Sequence, residues 1–245
     1  MCQGLGIANT LVPPDLDPDT WTLYNQTYIR LFFERSFVAR KPADQSVNRD
    51  DIIIAAADVL RRNGYEATTM KDIAAEVNLT AASLYHHFRN KDFLVLAVLE
   101  GGLQHVIEKL EPIVESDQTN ARKLAQMIEV HVISVTENTA VGAAMVFEIR
   151  SLMNTPSIQS ALYDDFVAKR NDFFRQRDDF ENLYRRVIRA GIAAGEFREV
   201  DADIYTKMML GAHNWVAVWY RPGRRLNGQA IAHMMADYIL HGLKP

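Results

Sequence analysis

Apolar positions recur every three or four residues along most of the chain, a spacing typical of amphipathic helices. Asn48 is placed to cap a predicted helix that Gly64 closes. The pattern then predicts two short helices within residues 68–88 and a long helix from about Asp92 to Glu115. Turn-forming residues separate six further predicted helices, at 120–138, 140–153, 157–178, 180–194, 201–220 and 228–242. Neither strand-like alternation nor an internal repeat is present. The pattern therefore predicts an all-α protein.

The helical pattern also divides the chain into three predicted parts. Residues 1–47 form an N-terminal extension in which about 20–38 has the aromatic spacing of an amphipathic helix. Residues 48–95 form a three-helix unit, and residues 96–245 form a larger helical bundle. Two explanations fit residues 1–47: an extension with a regulatory role, or a start site that was assigned too far upstream.

Composition narrows the class of protein. The chain has 245 residues, of which 48% are apolar and 24% charged, with a formal net charge of −4. This balance is ordinary for a globular protein and gives no overall basic field for coating nucleic acid. The single cysteine, Cys2, excludes an intrachain disulfide and a Cys-rich zinc site. With no secretory signal and no apolar run of about 20 residues, we expect a cytoplasmic protein without a membrane partner.

Residues 68–88 have the order of a helix-turn-helix. Thr68 or Thr69 is placed to cap a short helix, and Thr80 is placed to cap a second one. Asn78 lies where the chain must turn, and asparagine tolerates the left-handed conformation better than most residues. Leu84 and Phe88 are spaced to anchor the second helix from inside, so its other face can enter the major groove, which is about 12 Å wide.

The outward positions of this unit have chemistry that suits DNA. Small residues at the start of a recognition helix allow close approach to bases, and hydroxyl and amino groups bind phosphate oxygens. Residues 48–95 carry six Lys or Arg against seven Asp or Glu, so binding depends on where the cations lie. The predicted DNA contacts are Thr68, Thr69, Thr80, Ala81, Ala82, Ser83, Tyr85, His86, His87 and Lys91.

The strings Thr-Thr-x-x-x-Ile-Ala (from Thr68) and Leu-Tyr-x-His-Phe-x-x-Lys (from Leu84) resemble the TetR family of bacterial transcriptional regulators. The resemblance implies that the second motif helix reads operator DNA. It also implies phosphate contacts at Thr69, Tyr85, His87 and Lys91. Two positions depart from the family: Asn78 stands where glycine is frequent, and Ala81 stands where lysine or proline is frequent.

His86 and His87 also suggest a metal site or an acid–base pair. Neighbouring residues on a helix point about 100° apart, so these two imidazoles cannot jointly hold one metal ion as an i, i+4 pair can. No other metal-ligand spacing accompanies them. DNA contact and structural packing therefore remain open for each histidine, and neither a metal nor a cofactor is predicted.

The last two predicted helices contain an apolar stripe of Met208, Ala212, Trp215 and Trp219. A homodimer interface and an ordinary intrachain core both explain such a stripe. The family resemblance favours the dimer, because its members usually pair through their last two helices.

The stretch GAHNWVAVWYRPGRRL, from Gly211, resembles regulators of fatty-acid and steroid breakdown that sense acyl-CoA thioesters. Aromatic and cationic residues alternate in the helix predicted at 157–178, which suits an amphiphile with an apolar tail and a phosphorylated head. There are two alternatives to a ligand site. The cations can lie over the hydrophobic core with their charges in solvent, and the polar groups can lie at a dimer interface. The candidate ligand-binding residues are Arg150, Phe166, Arg170, Phe173, His213 and Asn214.

The sequence thus predicts a ligand-responsive, dimeric regulator that binds a palindromic operator as a repressor and is released by a small amphiphile such as an acyl-CoA. A helical enzyme without DNA binding, such as a thioester hydrolase, is the alternative. It is disfavoured because no serine lies in a nucleophile-elbow sequence and no glycine-rich phosphate loop is present.

Overall fold

The structure, a computed structural model, describes residues 47–147 and 161–245, without the side chains of Ala161 and Leu162. Within these ranges the chain is all-α, as predicted. The helices are α1 (Arg49–Ala67), α2 (Met70–Glu76), α3 (Ala81–His87), α4 (Lys91–Glu115), α5 (Asn120–Glu137), α6 (Thr139–Phe147), α7 (Ala161–Ala193), α8 (Ala202–Trp219) and α9 (Gly228–His241). The predicted helix at about 20–38, the end of the one predicted at 140–153, and Arg150 lie outside the described residues.

Side chains at the predicted caps begin the first three helices. Asn48 and Thr69 each form a reciprocal capping box, with Asp51 and Asp72 respectively, and the Thr80 side chain accepts a hydrogen bond from the backbone N–H of Ser83. These contacts satisfy backbone donors that have no partner within the helix. The caps predicted from sequence are confirmed at all three helices, with Thr69 rather than Thr68 capping α2.

The turn between α2 and α3 depends on Asn78, whose φ is 55°. It is the single non-glycine residue with a positive φ in the described ranges. The backbone N–H of Leu79 donates to the carbonyl of Ala74 across this turn, at 2.8 Å. The predicted left-handed residue is therefore confirmed, and it sets the angle between the two motif helices.

The long helix α4 connects the small N-terminal unit to the bundle. Asn90 caps it, and the side chains from Phe93 to Leu99 are all buried. The helix packs on α1, α5, α6 and α7. Because α1 also packs against α6, the DNA-reading unit and the bundle share one continuous core.

In the bundle, α5 packs against α4, α7, α8 and α9, and Gly228 of α9 lies directly against Thr136 of α5. A Cβ atom at that position would lie 2.1 Å from the Thr136 hydroxyl oxygen, so glycine permits the contact between α5 and α9. Within the described ranges, no single helix is long and apolar enough to cross a bilayer. Together α5 and α6 meet that criterion, but they are bent by 99° at their junction.

The predicted break between helices 157–178 and 180–194 is wrong, because α7 runs through it without interruption. The chain between the two predicted helices, at Asp178 and Asp179, holds neither proline nor glycine, so nothing there breaks the helix. Buried Phe173, Phe180 and Tyr184 recur at helical spacing on both sides, so one apolar face holds the helix together.

Candidate functional site

Helix α3 presents a row of exposed side chains on a firmly anchored backbone. Leu84 is fully buried and Phe88, which ends the helix, is nearly so. Tyr85 is 52% exposed, and both His86 and His87 are exposed beside it. The predicted anchors are therefore confirmed, and the exposed side chains are free to meet a partner.

The start of α3 offers a small and ordered surface. Ser83 and Thr80 share a hydroxyl–hydroxyl hydrogen bond of 2.9 Å, which fixes both side chains. Ala82 is exposed, while Ala81 and Ser83 are half-buried. With no bulky side chain before Tyr85, the first turn of α3 can approach a surface closely.

The two adjacent threonines before α2 have different environments. Thr69 is exposed, and its hydroxyl donates to the Asp72 carboxylate at 2.7 Å, a bond that lowers the pKa of Asp72. Thr68 is buried, and its hydroxyl donates to the Gly64 carbonyl at 2.7 Å. Thr68 is therefore not the exposed DNA contact that the sequence predicted, because its hydroxyl forms a hydrogen bond with the backbone near the end of α1.

Lys91, predicted as a phosphate contact, is turned towards the protein. Its Nζ atom donates to the Tyr65 carbonyl at 2.7 Å and to the Thr68 carbonyl at 3.0 Å. It also lies 4.0 Å from the centroid of the Tyr65 ring, and the Tyr65 hydroxyl donates to the Asp92 carboxylate. These contacts tie the end of α1 to the start of α4, so Lys91 holds the two helices in register.

Two exposed arginines of α1 have acidic partners within the unit, Arg61 with Asp58 and Arg62 with Glu76. The guanidinium of a third, Arg49, lies 4.8 Å from the centroid of the Phe88 ring.

Lys71, in the first turn of α2, is exposed and makes no ion pair within the described ranges. Lys71 is not among the DNA contacts predicted from sequence. Its place one residue after the buried Met70 is the signal that would have found it, because the next residue of a helix faces outward.

Arg89 and Phe93 connect the DNA-reading unit to α7. The Arg89 guanidinium pairs with the Asp165 carboxylate. Phe93 packs edge-on against Phe166, with ring centroids 5.4 Å apart. Phe166, predicted to bind a ligand, is thus a buried contact between α4 and α7.

Two of the predicted ligand-binding residues, His213 and Asn214, lie with His131 at the seam between α5 and α8. The Nδ1 atoms of His131 and His213 are 3.2 Å apart, and both rings are buried among aromatic side chains. Burial lowers the pKa of His131 to about 4, a shift opposed by a hydrogen bond with Asn214, and burial lowers the pKa of His213 as well. Both imidazoles are therefore neutral near pH 7. No local pattern predicted that His131 and His213 would lie in contact.

The remaining predicted ligand residues do not join this pair. Phe173 is fully buried and packs against its neighbour Phe174, and Arg170 is half-buried on the same helix. A separate cleft of about 400 Å³ lies among α1, α4 and α7. The sequence pattern did not predict this cleft. Its lining mixes Arg49 and Lys169 with acids that include Glu100, whose pKa is raised by burial.

The apolar stripe of α8 faces outward. Trp215 and Trp219 are 53% and 50% exposed, and Met208 and Ala212 lie on the same face. Tyr238 and Met234 extend the exposed apolar surface onto α9. The stripe is therefore not part of the core of a single chain, which excludes the interpretation as an ordinary intrachain core.

Among the described residues, no group of three or more His, Cys, Asp or Glu side chains is arranged to hold a metal ion. His86 and His87 are exposed on α3, apart from any such cluster.

Two protein families match parts of the chain. Residues 52–98 match the family described as bacterial regulatory proteins, tetR family. Residues 166–243 match the tetracyclin repressor-like C-terminal domain.

One similar protein is the HTH-type transcriptional repressor KstR2 of Mycolicibacterium smegmatis. It is 26% identical over 204 residues, which cover 82% of this chain and 93% of that protein. The crystal structure of the TetR family transcriptional regulator PfmR from Thermus thermophilus is 28% identical with a TM-score of 0.67, and the match covers 79% of this chain and 99% of that one. AibR, crystallised with isovaleryl coenzyme A and operator DNA, shares the fold at 22% identity with a TM-score of 0.64, over 80% of this chain and 98% of its own.

Proposed function

Because the chain belongs to the TetR family of bacterial regulators, we propose that it represses transcription as a homodimer bound to a palindromic operator and leaves that operator when a small amphiphile binds. The family and its relatives are DNA-binding transcription regulators and not enzymes. Such a protein acts where the chromosome lies, in the cytoplasm. The alternative of a thioester hydrolase has no support among these relatives.

The exposed face of α3 is the observation that supports operator reading most directly. Ala81, Ala82 and Ser83 come first on the helix and approach base edges, where an alanine methyl contacts a thymine methyl. Tyr85 and His87 follow, and they bind the phosphate backbone, with His86 nearest the bases. This arrangement divides sequence reading from backbone binding along one short helix.

Phosphate binding needs cations, and Lys71 is the candidate that the exposed surface of the unit offers. Lys71 is exposed and unpaired within the described ranges, at the start of α2, where backbone N–H groups also point outward. Thr69 lies directly before it and offers a further polar contact. Lys91 and Thr68 instead support the unit from inside.

The homodimer uses the exposed apolar surface of α8 and α9. Met208, Ala212, Trp215 and Trp219 recur every three or four residues, so they form one face that a second copy of the chain covers. Two heads then meet half-sites about 34–36 Å apart, which explains why the operator is a palindrome.

The effector is a small amphiphile, and a coenzyme A thioester is the leading candidate. Similar proteins support this class: AibR was crystallised with isovaleryl coenzyme A, and a Bacillus subtilis relative is a fatty acid metabolism regulator. In this chain, Phe166 and Phe173 supply apolar contacts, and Arg170, with Arg150 outside the described residues, supplies a partner for a phosphorylated head. His213 and Asn214 supply polar contacts.

Selection of bound sequences from random duplex DNA tests operator binding. We expect enrichment of one palindrome, with an affinity that falls steeply as salt rises. Tyr85→Ala should weaken binding to every duplex, and Ala82→Ser should change the preferred sequence. Gln118→Ala, in the exposed turn between α4 and α5, is the control that should change neither. Without sequence preference in the unsubstituted protein, operator binding is excluded.

A thermal-shift panel of acyl-CoAs, followed by release from the selected palindrome, tests the effector. A true inducer must bind the free protein more tightly than the DNA-bound one, because a ligand with equal affinity for both shifts nothing.

A further inference from the structure

The cleft among α1, α4 and α7 lies where the DNA-reading unit meets the bundle. Its volume of about 400 Å³ is within the usual range of small-molecule sites, about 300–1,000 Å³. On α4 it is lined by Ala97 and, one turn later, by Gly101. A Cβ atom at Gly101 would have no neighbour within 4 Å, so the space beside this residue is open. The small residues of α4 therefore leave room for a ligand between α1 and α7.

The charged side chains that line the cleft lie at two depths. Glu100 of α4 and Asp172 of α7 are half-buried. Arg49 of α1 and Lys169 of α7 are exposed, as is Asp50. Burial raises the pKa of Glu100, and the positive charges of Lys169 and Arg49 oppose this rise. The cleft therefore has carboxylates in its interior and two cations, Arg49 and Lys169, at its rim.

The interior carboxylate of Glu100 and the two rim cations do not pair. Within the described ranges, Glu100, Arg49 and Lys169 make no hydrogen bond or ion pair, whereas Asp172 pairs with Arg175. A half-buried charge that contacts no opposite charge is unfavourable, because it has lost part of its hydration. A ligand that brings a cation to Glu100 and an anion to the rim would supply both missing partners.

The lining also determines which ligands fit poorly. Ile53 and Ala97 supply apolar contacts, but Gln104 and Gln176 add amide groups to the charged side chains. An acyl chain would therefore lie against polar groups, so the cleft does not suit the apolar tail of an amphiphile. A ligand with only a negative charge would be repelled by Glu100, and one with only a positive charge would be repelled by the two rim cations.

We propose that this cleft binds a small zwitterion, an amino acid or a related molecule with one ammonium and one carboxylate group. The ammonium lies beside Glu100 in the interior, and the carboxylate binds Arg49 and Lys169 at the rim. Because Arg49 belongs to α1 and Lys169 to α7, the bound molecule bridges the DNA-reading unit and the bundle. The site is separate from that of the amphiphilic effector, and its binding requires neither the operator nor the effector.

Three four-carbon probes test the charge pattern of the ligand. Calorimetric titration of the full-length protein at low salt compares 4-aminobutyrate, which has both charges, with butyrate and butylamine, which have one each. We expect 4-aminobutyrate to bind about 3- to 5-fold more tightly than either analogue, because it gains one partly exposed charge pair over each of them. Glycine and 6-aminohexanoate, titrated in parallel, cover shorter and longer separations between the two charges.

Substitutions assign each charge of the ligand to its partner. With Glu100→Gln, the preference for 4-aminobutyrate over butyrate should vanish. With Arg49→Gln/Lys169→Gln, the preference over butylamine should vanish instead. Glu111→Gln, at an exposed position of α4 outside the cleft, is the matched control that should keep both preferences. A Glu100 with only a structural role would change the stability of the protein and leave these preferences as they are.

Filling the cleft tests its place. Gly101→Leu puts a side chain into the open space, and leucine favours a helix more than glycine does, so the variant should fold and lose binding of 4-aminobutyrate. Circular dichroism checks the fold. Undiminished binding to folded Gly101→Leu, equal binding of the three four-carbon probes, or binding of none of the three zwitterions would overturn the proposal. Operator selection needs no zwitterion, so failure of this site and failure of operator binding are distinguishable.

Discussion

At the scale of single residues, the same type of side chain has different roles in different surroundings. Lys71 and Lys91 are both lysines at the start of a helix of the DNA-reading unit. Lys91 has two backbone carbonyls as partners, whereas Lys71 extends into solvent. The first is therefore expected to hold the unit together and the second to meet phosphate.

Salt dependence distinguishes these two roles. Lys71→Ala should weaken operator binding and reduce the slope of log affinity against log salt by about 1, because one fewer counterion is released. Lys91→Met keeps much of the stem, so it should lower both stability and affinity while leaving the slope unchanged. Titrations at several salt concentrations provide the measurement, with Lys71→Arg as the charge-preserving control. A reduced slope of log affinity against log salt for Lys91→Met would show that Lys91 contacts phosphate.

The buried histidines make stability depend on pH. His131 has a pKa of about 4 in the fold against 6.5 when exposed, and the pKa of His213 is also lowered. The unfolded chain therefore binds more protons between these values, so stability present above pH 6.5 is lost as the pH falls towards 4. For His131 alone, we expect a loss of about 1.4 kcal/mol at about pH 5.5. Urea unfolding at several pH values in this range provides the measurement. As the pH is lowered, the free energy of unfolding should fall less for the variant His131→Leu/His213→Leu than for the unsubstituted protein.

At the scale of helices, short elements are held by their ends and long ones by their faces. Helices α2 and α3 have seven residues each, too few to be stable alone, so their caps and the turn between them carry much of the local order. The long α7 instead continues through two aspartates because its apolar face stays buried.

Asn78 gives a direct test of the turn. Its φ of 55° lies in the left-handed region, which costs most residues roughly 1 kcal/mol and costs glycine nothing. Asn78→Gly should therefore keep the stability and DNA affinity of the protein, and Asn78→Val should lower the free energy of unfolding by at least about 1 kcal/mol. Denaturant unfolding measures both. A Val variant as stable as the Gly variant would mean that the turn is not confined to this conformation.

At the scale of the whole molecule, the DNA-reading unit and the bundle share one core. Helix α1 packs against α6, and α4 runs from the unit into the bundle. The ion pair Arg89–Asp165 and the ring contact Phe93–Phe166 join the start of α4 to α7. A change in the packing of the bundle is therefore transmitted to the head through rigid elements. With two heads on one palindrome, a small rotation of α4 is enough to break the spacing.

The homodimer is tested at the same scale. Trp215→Glu places a charge in the exposed stripe of α8, so it should shift the protein towards monomer and weaken palindrome binding. A folded monomer is expected, because the side chain is 53% exposed within one chain. Sedimentation measures the mass, and circular dichroism checks the fold. Arg198→Glu, in the loop before α8, is an exposed control that should stay dimeric.

By itself, the sequence determined the all-α class, the bounds of most helices, the three caps and the turn residue Asn78. These features depend on local physics: helical periodicity, capping hydrogen bonds and the backbone preferences of single residues. It also located α3 as the surface to examine, because the anchors Leu84 and Phe88 define which face is left outside.

Only the tertiary structure decided which side chains are free and which are occupied. Thr68 and Lys91 matched DNA contacts in the sequence but have partners within the protein, and Lys71 was overlooked although it is exposed. The meeting of His131 with His213 joins positions 82 residues apart, which no local pattern encodes. Hydrogen-bond partners, burial and pKa shifts arise from packing between distant segments, so they appear only once the helices are brought together.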